Sequence, residues 1–162
     1  MRSSSIHPRG FMDSEPIIRP GTCADRAEVE AIVSAAYAPY VPRIGMRPKP
    51  MDADYAAALA DGVLTVLEVA GQVAGFVILR HAPAHMLLEN IAVAPAFQGQ
   101  GLGGRLIAIA HSAARAAGVP KLILYTHVKM TENVALYQRQ GFEIVEEREE
   151  FGLHRVYMEK RL

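Results

Sequence analysis

The chain has 162 residues, of which 51% are hydrophobic, and its 17 Lys and Arg residues balance 17 Asp and Glu residues. This length suits one domain with a sizeable core, and the zero formal net charge at pH 7 excludes recruitment of nucleic acid or an anionic membrane by a net electrostatic field. The single cysteine, Cys23, excludes an internal disulfide and a zinc site built from several thiolates, which fits a reducing compartment.

Residues 1–14 contain a serine run and Pro8, but no apolar segment of the kind that a secretory signal needs. We therefore expect residues 1–14 to form a flexible extension and residues 15–162 to form a single domain. Because no apolar run approaches the roughly 20 residues that span a bilayer, the sequence predicts a cytoplasmic protein without a membrane partner.

The first elements are a strand at residues 17–19 and a helix that starts after Thr22, an N-cap residue with Asp25 three positions on. Apolar side chains then recur at the spacing of one helix face. They are Val29, Ile32, Val33, Ala36 and Tyr37. Prolines at positions 39, 42, 48 and 50 predict an irregular segment, a candidate lid, which a short helix at residues 52–61 closes.

Two β-rich runs, residues 63–70 and 73–80, flank Gly71-Gln72 and predict a hairpin. A third strand at residues 85–94 is largely apolar on both sides, so we expect it in the middle of a sheet. Strict alternation would place Leu87, Ile91 and Val93 on one face of this strand. It would place Met86, Leu88 and Ala92 on the other face.

A helix at residues 101–117 and a strand at residues 121–128 follow, and this strand should return parallel to the third one. Thr131 as N-cap starts a short helix to residue 140, and strands at 142–150 and 154–162 form a hairpin about Phe151-Gly152. The order β-α-α-β-β-β-α-β-α-β-β predicts an α/β (α+β) fold with one mixed sheet and helices on both faces.

A glycine-rich loop between the third strand and the next helix is the strongest functional signal in the chain. Glycines let a ligand approach the main chain, and a helix start offers free N–H groups and a positive dipole end, so a pyrophosphate is the expected ligand. Gly99, Gly101 and Gly104 satisfy the dinucleotide spacing G-x-G-x-x-G. The next strand, however, lacks the carboxylate that would hold a ribose.

The other interpretation of the loop is Gln98-x-x-Gly101-x-Gly103 after Pro95, which resembles the pyrophosphate signature of the GNAT superfamily of acetyl-CoA-dependent N-acyltransferases. Residues 131–142 are similar to the GNAT helix that ends in Leu-Tyr-x-x-x-Gly-Phe. The resemblance covers about residues 63–145, and it implies the GNAT fold, with a mostly antiparallel sheet of about six to seven strands. It also implies acetyl-CoA as co-substrate, with no metal.

The resemblance further implies which residues hold acetyl-CoA. The free backbone groups of Ile91, Ala92 and Val93 would pair with pantetheine, because the third strand and its parallel neighbour splay apart in this superfamily, and one N–H would face the thioester carbonyl. Asn133 would contact the coenzyme beside Tyr137, which shares its helix face. The loop residues would bind the pyrophosphate: Gln98, Gly99, Gln100, Gly101, Leu102, Gly103 and Gly104.

Two residues are candidate catalytic groups. Tyr137 matches the tyrosine that the superfamily places near the coenzyme sulfur, where a phenol would protonate the departing thiolate; alternatively, it packs its helix onto the sheet. Glu89, with apolar strand neighbours, is the candidate general base that takes a proton from the acceptor ammonium through a water. The alternative for Glu89 is a carboxylate paired with an arginine, and Glu68 is the second candidate base.

The acceptor is expected to be a primary amine of a small molecule or peptide. Arg43 is a candidate for binding a carboxylate of the acceptor and Tyr40 for stacking on it, the alternative for Arg43 being a solvated side chain. The full set of predicted acceptor contacts is Tyr40, Arg43, Glu89, Tyr125 and His127. The superfamily resemblance is also compatible with a homodimer.

The sequence therefore predicts an N-acetyltransferase in which a deprotonated amine attacks the thioester directly in a ternary complex. Two alternatives belong to other classes. One is a catalytically silent acyl-CoA-binding module, such as a sensor or a partner subunit. The other is a nucleotide-binding protein that uses the same glycines.

Overall fold

A computed structural model describes residues 15–162 of the protein, and within this range seven strands form one sheet. The expected extension at residues 1–14 lies outside the described residues. The strands are β1 (Ile17–Pro20), β2 (Leu64–Val69), β3 (Gln72–Ala82), β4 (His85–Val93), β5 (Lys121–His127), β6 (Glu143–Glu150) and β7 (Leu153–Arg161). Their order is β1-β2-β3-β4-β5-β7-β6, with β4 and β5 parallel and the other neighbours antiparallel.

Helices cover both faces of this sheet. In the described part of the chain they are α1 (Arg26–Tyr37), α2 (Tyr40–Ile44), α3 (Tyr55–Ala60), α4 (Leu102–Ala116) and α5 (Thr131–Arg139). Residues of α1 and α3 share one buried cluster with β2 and β3, whereas residues of α4 share a second cluster with β3, β4, β5 and β7. The fold class expected from the sequence is therefore confirmed: a mixed, mostly antiparallel sheet with helices on both faces.

Helix α2 departs from the irregular segment that the prolines predicted. Pro42 is the third residue of α2, where a backbone N–H has no intrahelical acceptor and the fixed φ of proline suits a helix. Helix α3 is shorter than the helix predicted at residues 52–61, because it starts at Tyr55. Asp54 caps α3 by accepting a hydrogen bond from the backbone N–H of Ala57 at 2.9 Å.

Two tight hairpins connect neighbouring strands. The predicted turn at Phe151-Gly152 is confirmed, and its residues have φ values of 54° and 76°, the left-handed pair that a two-residue hairpin favours. The β2–β3 turn lies one residue earlier than predicted. Its left-handed residues are Ala70 and Gly71, because Gln72 already pairs as the first residue of β3.

A β-bulge interrupts β4 in the middle of the sheet. Ile78 of β3 pairs with Asn90 and Leu79 pairs with Leu88, so Glu89 is an extra residue on the β4 side. A bulge of this kind re-aims the side chains around it and bends the strand. The sequence did not reveal it, because the residues on either side of the bulge alternate as in a regular strand.

The bulge overturns the predicted alternation of faces along β4. Met86 and Leu88 were expected to share a face with Ala92. Instead they pack in the α4 cluster together with Ile91, whereas Ala92 packs in the α1 cluster. One extra residue moves every side chain that follows it to the opposite face of the sheet, because side chains alternate between the faces along a strand.

The sheet opens between its two parallel strands. Met86 pairs with Leu122 and Leu87 pairs with Ile123, and no further β4–β5 register pair exists in the described chain although both strands continue. Beyond these pairs no strand-to-strand register joins the facing edges of β4 and β5 in the described chain. The opening starts at Leu88, includes the bulge at Glu89 and extends towards the glycine-rich loop. No helix within residues 15–162 is long and apolar enough to cross a membrane.

Candidate active site

A cavity of about 410 Å³ opens where β4 and β5 diverge. Its walls come from the end of α1, the proline segment, α3, the bulged part of β4, the end of β5, the start of β7 and one face of α5. Both candidate catalytic residues, Glu89 and Tyr137, line it, as do Tyr125, His127 and Asn133. The structure therefore brings together residues that lie far apart in the sequence.

Tyr137 reaches the cavity from α5 as a buried phenol, 6% exposed. Its ring packs edge-on against Phe142, with 5.8 Å between the ring centroids. Burial, and to a smaller extent the nearby Tyr40, raises the pKa of Tyr137 above its ordinary value. Within residues 15–162 the hydroxyl has no hydrogen-bond partner, so it is a protonated and available donor.

Glu89 lines the cavity as the extra residue of the bulge, and Arg80 pairs with it. The Nε of Arg80 lies 3.0 Å from Oε1 of Glu89, and the Glu89 side chain is 33% exposed. Glu89 is thus paired with an arginine, as the alternative interpretation expected, and it also lines the cavity. Glu68, the second candidate base, bonds to Arg19 at 2.8 Å and does not line the cavity.

A buried hydrogen-bond chain that the sequence analysis missed forms one side of the cavity. The hydroxyl of Tyr37 donates to Oδ1 of Asn90 at 2.6 Å, and Nδ2 of Asn90 donates to the hydroxyl of Tyr55 at 2.9 Å. Tyr55 in turn donates to the backbone carbonyl of Pro50. This chain ties the proline segment to β4. The available signal was an asparagine inside an apolar strand, since a buried amide needs partners.

Tyr125 and His127 lie on the same face of β5 and both line the cavity. Burial, followed by Lys129 and His154, lowers the pKa of His127 below its ordinary value. Nδ1 of His127 accepts a hydrogen bond from the backbone N–H of Lys129 at 3.0 Å. With Nδ1 occupied as an acceptor, the neutral ring carries its proton on Nε2 and can donate to a ligand.

Tyr40 and Arg43, predicted to contact the acceptor, do not line the cavity. Arg43 belongs to α2 and bonds to both carboxylate oxygens of Glu132 at 2.7 and 2.9 Å, and its guanidinium lies 5.0 Å from the ring centroid of Tyr40. The unpredicted turn of α2 directs this arginine towards the start of α5. Arg43 therefore links α2 to α5, and the acceptor contacts of both residues stay predictions that the cavity lining does not include.

The glycine-rich loop lies at the start of α4, directly after the open edge of β4. Gly99 and Gly101 have φ values of 79° and 77°, which favour glycine. Gly101 is the N-cap of α4, and no side chain caps the helix. The first-turn N–H groups are thus available to an anion. A pyrophosphate fits this donor set, which continues through Leu102, Gly103 and Gly104.

Other predicted coenzyme contacts lie along the same path. Nε2 of Gln98 donates to the backbone carbonyl of Val93 at 3.2 Å, which fixes the loop against the end of β4. Asn133 lines the cavity one helical turn before Tyr137, and its Nδ2 points to the sulfur of Met130 at 3.7 Å. Within residues 15–162 no group of three or more His, Cys, Asp or Glu side chains could hold a metal ion.

Comparison with known proteins agrees with this geometry. A family model described as an acetyltransferase (GNAT) domain matches residues 60–144. A mycothiol acetyltransferase of Corynebacterium glutamicum (strain R) is 33% identical over 67 residues, which are 41% of this chain and 23% of that protein. The match therefore spans about a quarter of the length of this curated relative.

Solved structures share the fold over most of the chain. PaiA N-acetyltransferase from Thermoplasma acidophilum, in complex with coenzyme A, superposes with a TM-score of 0.78 at 14% identity and covers 91% of this chain and 99% of that chain. A GNAT family acetyltransferase from Elizabethkingia anophelis with acetyl-CoA bound gives a TM-score of 0.68 at 22% identity, with coverages of 91% and 98%. At these identities the likeness concerns the fold.

Proposed function

The chain belongs to the GNAT acetyltransferase domain family, and from this premise we propose that it transfers the acetyl group of acetyl-CoA directly to a primary amine in a ternary complex. The observation that carries the proposal is the open edge of β4. This edge begins among the cavity residues at the bulge and ends at Val93, beside the uncapped start of α4. A phosphate site and a reaction cavity thus lie at the two ends of one unpaired strand edge.

The coenzyme supplies an acetyl thioester to this site. The N–H groups at the start of α4 hold its pyrophosphate, and the backbone of Ile91, Ala92 and Val93 along the open edge of β4 pairs with its pantetheine arm. A backbone N–H of β4 stabilises the negative charge that develops on the carbonyl oxygen, because a donor fixed in the strand is already oriented before the reaction. Asn133 contacts the coenzyme beside the reacting end.

Two side chains handle protons in this proposal. Glu89 takes a proton from the acceptor ammonium through a water, and Arg80 keeps the carboxylate in place at the bulge. Tyr137 gives a proton to the departing thiolate. Its raised pKa keeps the phenol protonated at neutral pH, and its hydroxyl has no competing partner among the described residues. The protein needs no covalent intermediate, and Cys23 is absent from the cavity lining.

A calorimetric titration of the purified protein with acetyl-CoA, CoA, NAD and ATP tests the proposal. We expect micromolar binding of acetyl-CoA and CoA only, followed by CoA release when an amine acceptor is supplied. Binding of NAD alone, or of no ligand, would overturn the proposal. Tight binding of acetyl-CoA without turnover of any amine would instead identify a silent acyl-CoA-binding module.

A further inference from the structure

One cation of the cavity has no role in the chemistry proposed above. Arg155 of β7 lines the cavity, and its side chain is only 11% exposed. Its guanidinium lies 4.6 Å from the ring centroid of Tyr125 and 5.9 Å from that of Phe151. Two aromatic rings thus hold the planar group in place without using its N–H donors.

The hydrogen bonds of Arg155 leave most of those donors free. Within the described chain it makes one side-chain hydrogen bond, from Nη1 to Oε2 of Glu150 at 3.2 Å. Glu150 is also engaged elsewhere, because Tyr157 donates to the same oxygen at 2.6 Å and Arg148 to the other oxygen at 3.1 Å. These bonds, led by that from Tyr157, lower the pKa of Glu150. Its single negative charge is therefore shared between two arginines.

The charged side chains at the cavity form two groups, one with a net negative charge around Glu89 and one with a net positive charge around Arg155. On the β3–β4 side, Arg80 faces the carboxylate of Glu89 and, at 3.8 Å, that of Asp61. On the β7 side, Lys49 joins Arg155 at the mouth, with its Nζ 4.4 Å from the ring centroid of Phe151. An amine that approaches Glu89 would place the rest of its molecule towards these cations.

We propose that the acceptor carries a carboxylate that Arg155 binds, so that the substrates are free amino acids rather than simple amines. This inference rests on the proposed function, whose acceptor it specifies. An arginine with free parallel donors matches the two oxygens of a carboxylate, and burial strengthens the pair. The position that the sequence analysis gave to Arg43 is thus taken by Arg155, which the register places opposite His127.

Matched substrates test the proposal. Each free amino acid of a panel, including β- and γ-amino acids, is compared with its decarboxylated amine, for example phenylalanine with phenethylamine and histidine with histamine. We expect kcat/KM for the preferred amino acid to exceed that of its amine partner by on the order of tenfold to a hundredfold, the range of a charged hydrogen bond. Equal kcat/KM values, or turnover of amines alone, would overturn the inference.

Variants then locate the carboxylate. Arg155→Gln should lower kcat/KM for the amino acid on the order of tenfold or more and leave the amine nearly unchanged, and Arg155→Lys should recover part of the loss. Arg161→Gln is the matched control, since it removes an exposed arginine from the same strand. An equal loss for both substrates in Arg155→Gln would contradict carboxylate binding.

The same experiment separates this inference from the proposed function. Acetyl-CoA binding is measured for every variant by calorimetry. If acetyl-CoA binds and amines lacking a carboxylate are acetylated best, the acetyltransferase remains and the amino-acid assignment fails. If acetyl-CoA binds and no member of the panel is acetylated, the amino-acid assignment also fails. If acetyl-CoA does not bind, both fail.

Discussion

Asn90 illustrates how one polar residue organises the cavity. It is 6% exposed, and its amide uses Oδ1 as acceptor for Tyr37 and Nδ2 as donor to Tyr55. Both partners pack against the sheet from helices, and Tyr55 extends the chain of bonds to Pro50. A buried network in which each member has a partner fixes side-chain positions that apolar packing alone would leave adjustable. Asn90 thereby fixes the positions of α1, α3 and the segment at Pro50 relative to the bulge.

Replacement of Asn90 by leucine tests this network. Asn90→Leu keeps the branched shape of the side chain but removes the hydrogen-bond partner that Asn90 gives to the buried hydroxyls of Tyr37 and Tyr55, so we expect a loss of about 1–3 kcal/mol in the free energy of unfolding. Urea unfolding monitored by circular dichroism measures it. Asn133→Leu is the control, because the one side-chain hydrogen bond of Asn133 within the described part of the chain is a long one, to the sulfur of Met130 at 3.7 Å. Equal stabilities of the two variants would show that the network is dispensable.

Tyr137 differs from Tyr37 and Tyr55 because its hydroxyl has no hydrogen-bond partner among residues 15–162. If this phenol protonates the thiolate, Tyr137→Phe should lower kcat on the order of a hundredfold and change the dissociation constant of acetyl-CoA little, since the phenyl ring still packs against Phe142. Steady-state kinetics and calorimetry measure the two quantities. Tyr40→Phe, which removes a hydroxyl outside the cavity lining, serves as the control. An unchanged kcat for Tyr137→Phe would refute the acid role.

At the scale of elements, a substitution at the start of α4 should affect acetyl-CoA binding and the free energy of unfolding in different directions. Gly103 lies in the first turn, and a Cβ added there would meet Cδ2 of Leu136 at 3.4 Å, an ordinary contact. Gly103→Ala should therefore retain or raise the free energy of unfolding, by up to about 1 kcal/mol, because alanine favours a helix. The same methyl group would crowd the N–H groups that we propose hold the pyrophosphate. We expect on the order of tenfold weaker acetyl-CoA binding.

Calorimetry and urea unfolding together check this prediction for Gly103→Ala. Ser112→Ala is a suitable control, because it raises helix propensity at an exposed position of α4 away from the loop. Unchanged acetyl-CoA affinity in a folded Gly103→Ala protein would contradict the assignment of the first turn to phosphate binding.

A second element-scale feature anchors β1 to the start of α1. Arg19 donates to the carboxylate of Asp25 at 2.8 and 2.9 Å and to Glu68 at 2.8 Å. The hydrogen bonds that Arg19 donates to Asp25 lower the pKa of Asp25 to about 2, and the backbone N–H of Thr22 contributes to this shift. The folded-state pKa lies below the ordinary value, so the stabilisation is complete above pH 3.8 and is lost as the pH falls towards about 2.

Asp25→Asn should therefore cost about 1–2 kcal/mol of unfolding free energy at neutral pH, the full shift being reduced because Arg19 is partly exposed. It should also flatten the decline in stability below pH 3.8. Thermal unfolding across this pH range measures both effects. Glu30→Gln breaks only the exposed pair with Arg26 and should change neither quantity. A steep acid decline that persists in Asp25→Asn would assign the pH dependence to other carboxyl groups.

For the whole molecule, local patterns in the sequence predicted most of the architecture. Strand and helix order, the Phe151-Gly152 turn and the glycine loop each depend on neighbouring residues, so periodicity and turn chemistry suffice for them. The cavity depends on long-range contacts. The bulge at Glu89 and the position of Arg155 opposite β5 arise from strand pairing, and the partners of Asn90 come from two helices that pack on the sheet. Strand register and helix packing are tertiary properties, which explains why the sequence did not indicate that Arg155 lines the cavity.

The opening between β4 and β5 also predicts how ligand binding affects the whole domain. Two register pairs connect the halves of the sheet along this seam, and a coenzyme that pairs with the open edge of β4 would add contacts across it. At a hundred times its dissociation constant, acetyl-CoA should stabilise the fold by about 2.7 kcal/mol. For a domain of this size that corresponds to a rise in Tm of about 5–10 °C. Differential scanning calorimetry measures this shift, with NAD at the same concentration as the control. A Tm that rises with NAD and not with acetyl-CoA would mean that the glycine loop binds a dinucleotide and that the seam has another role.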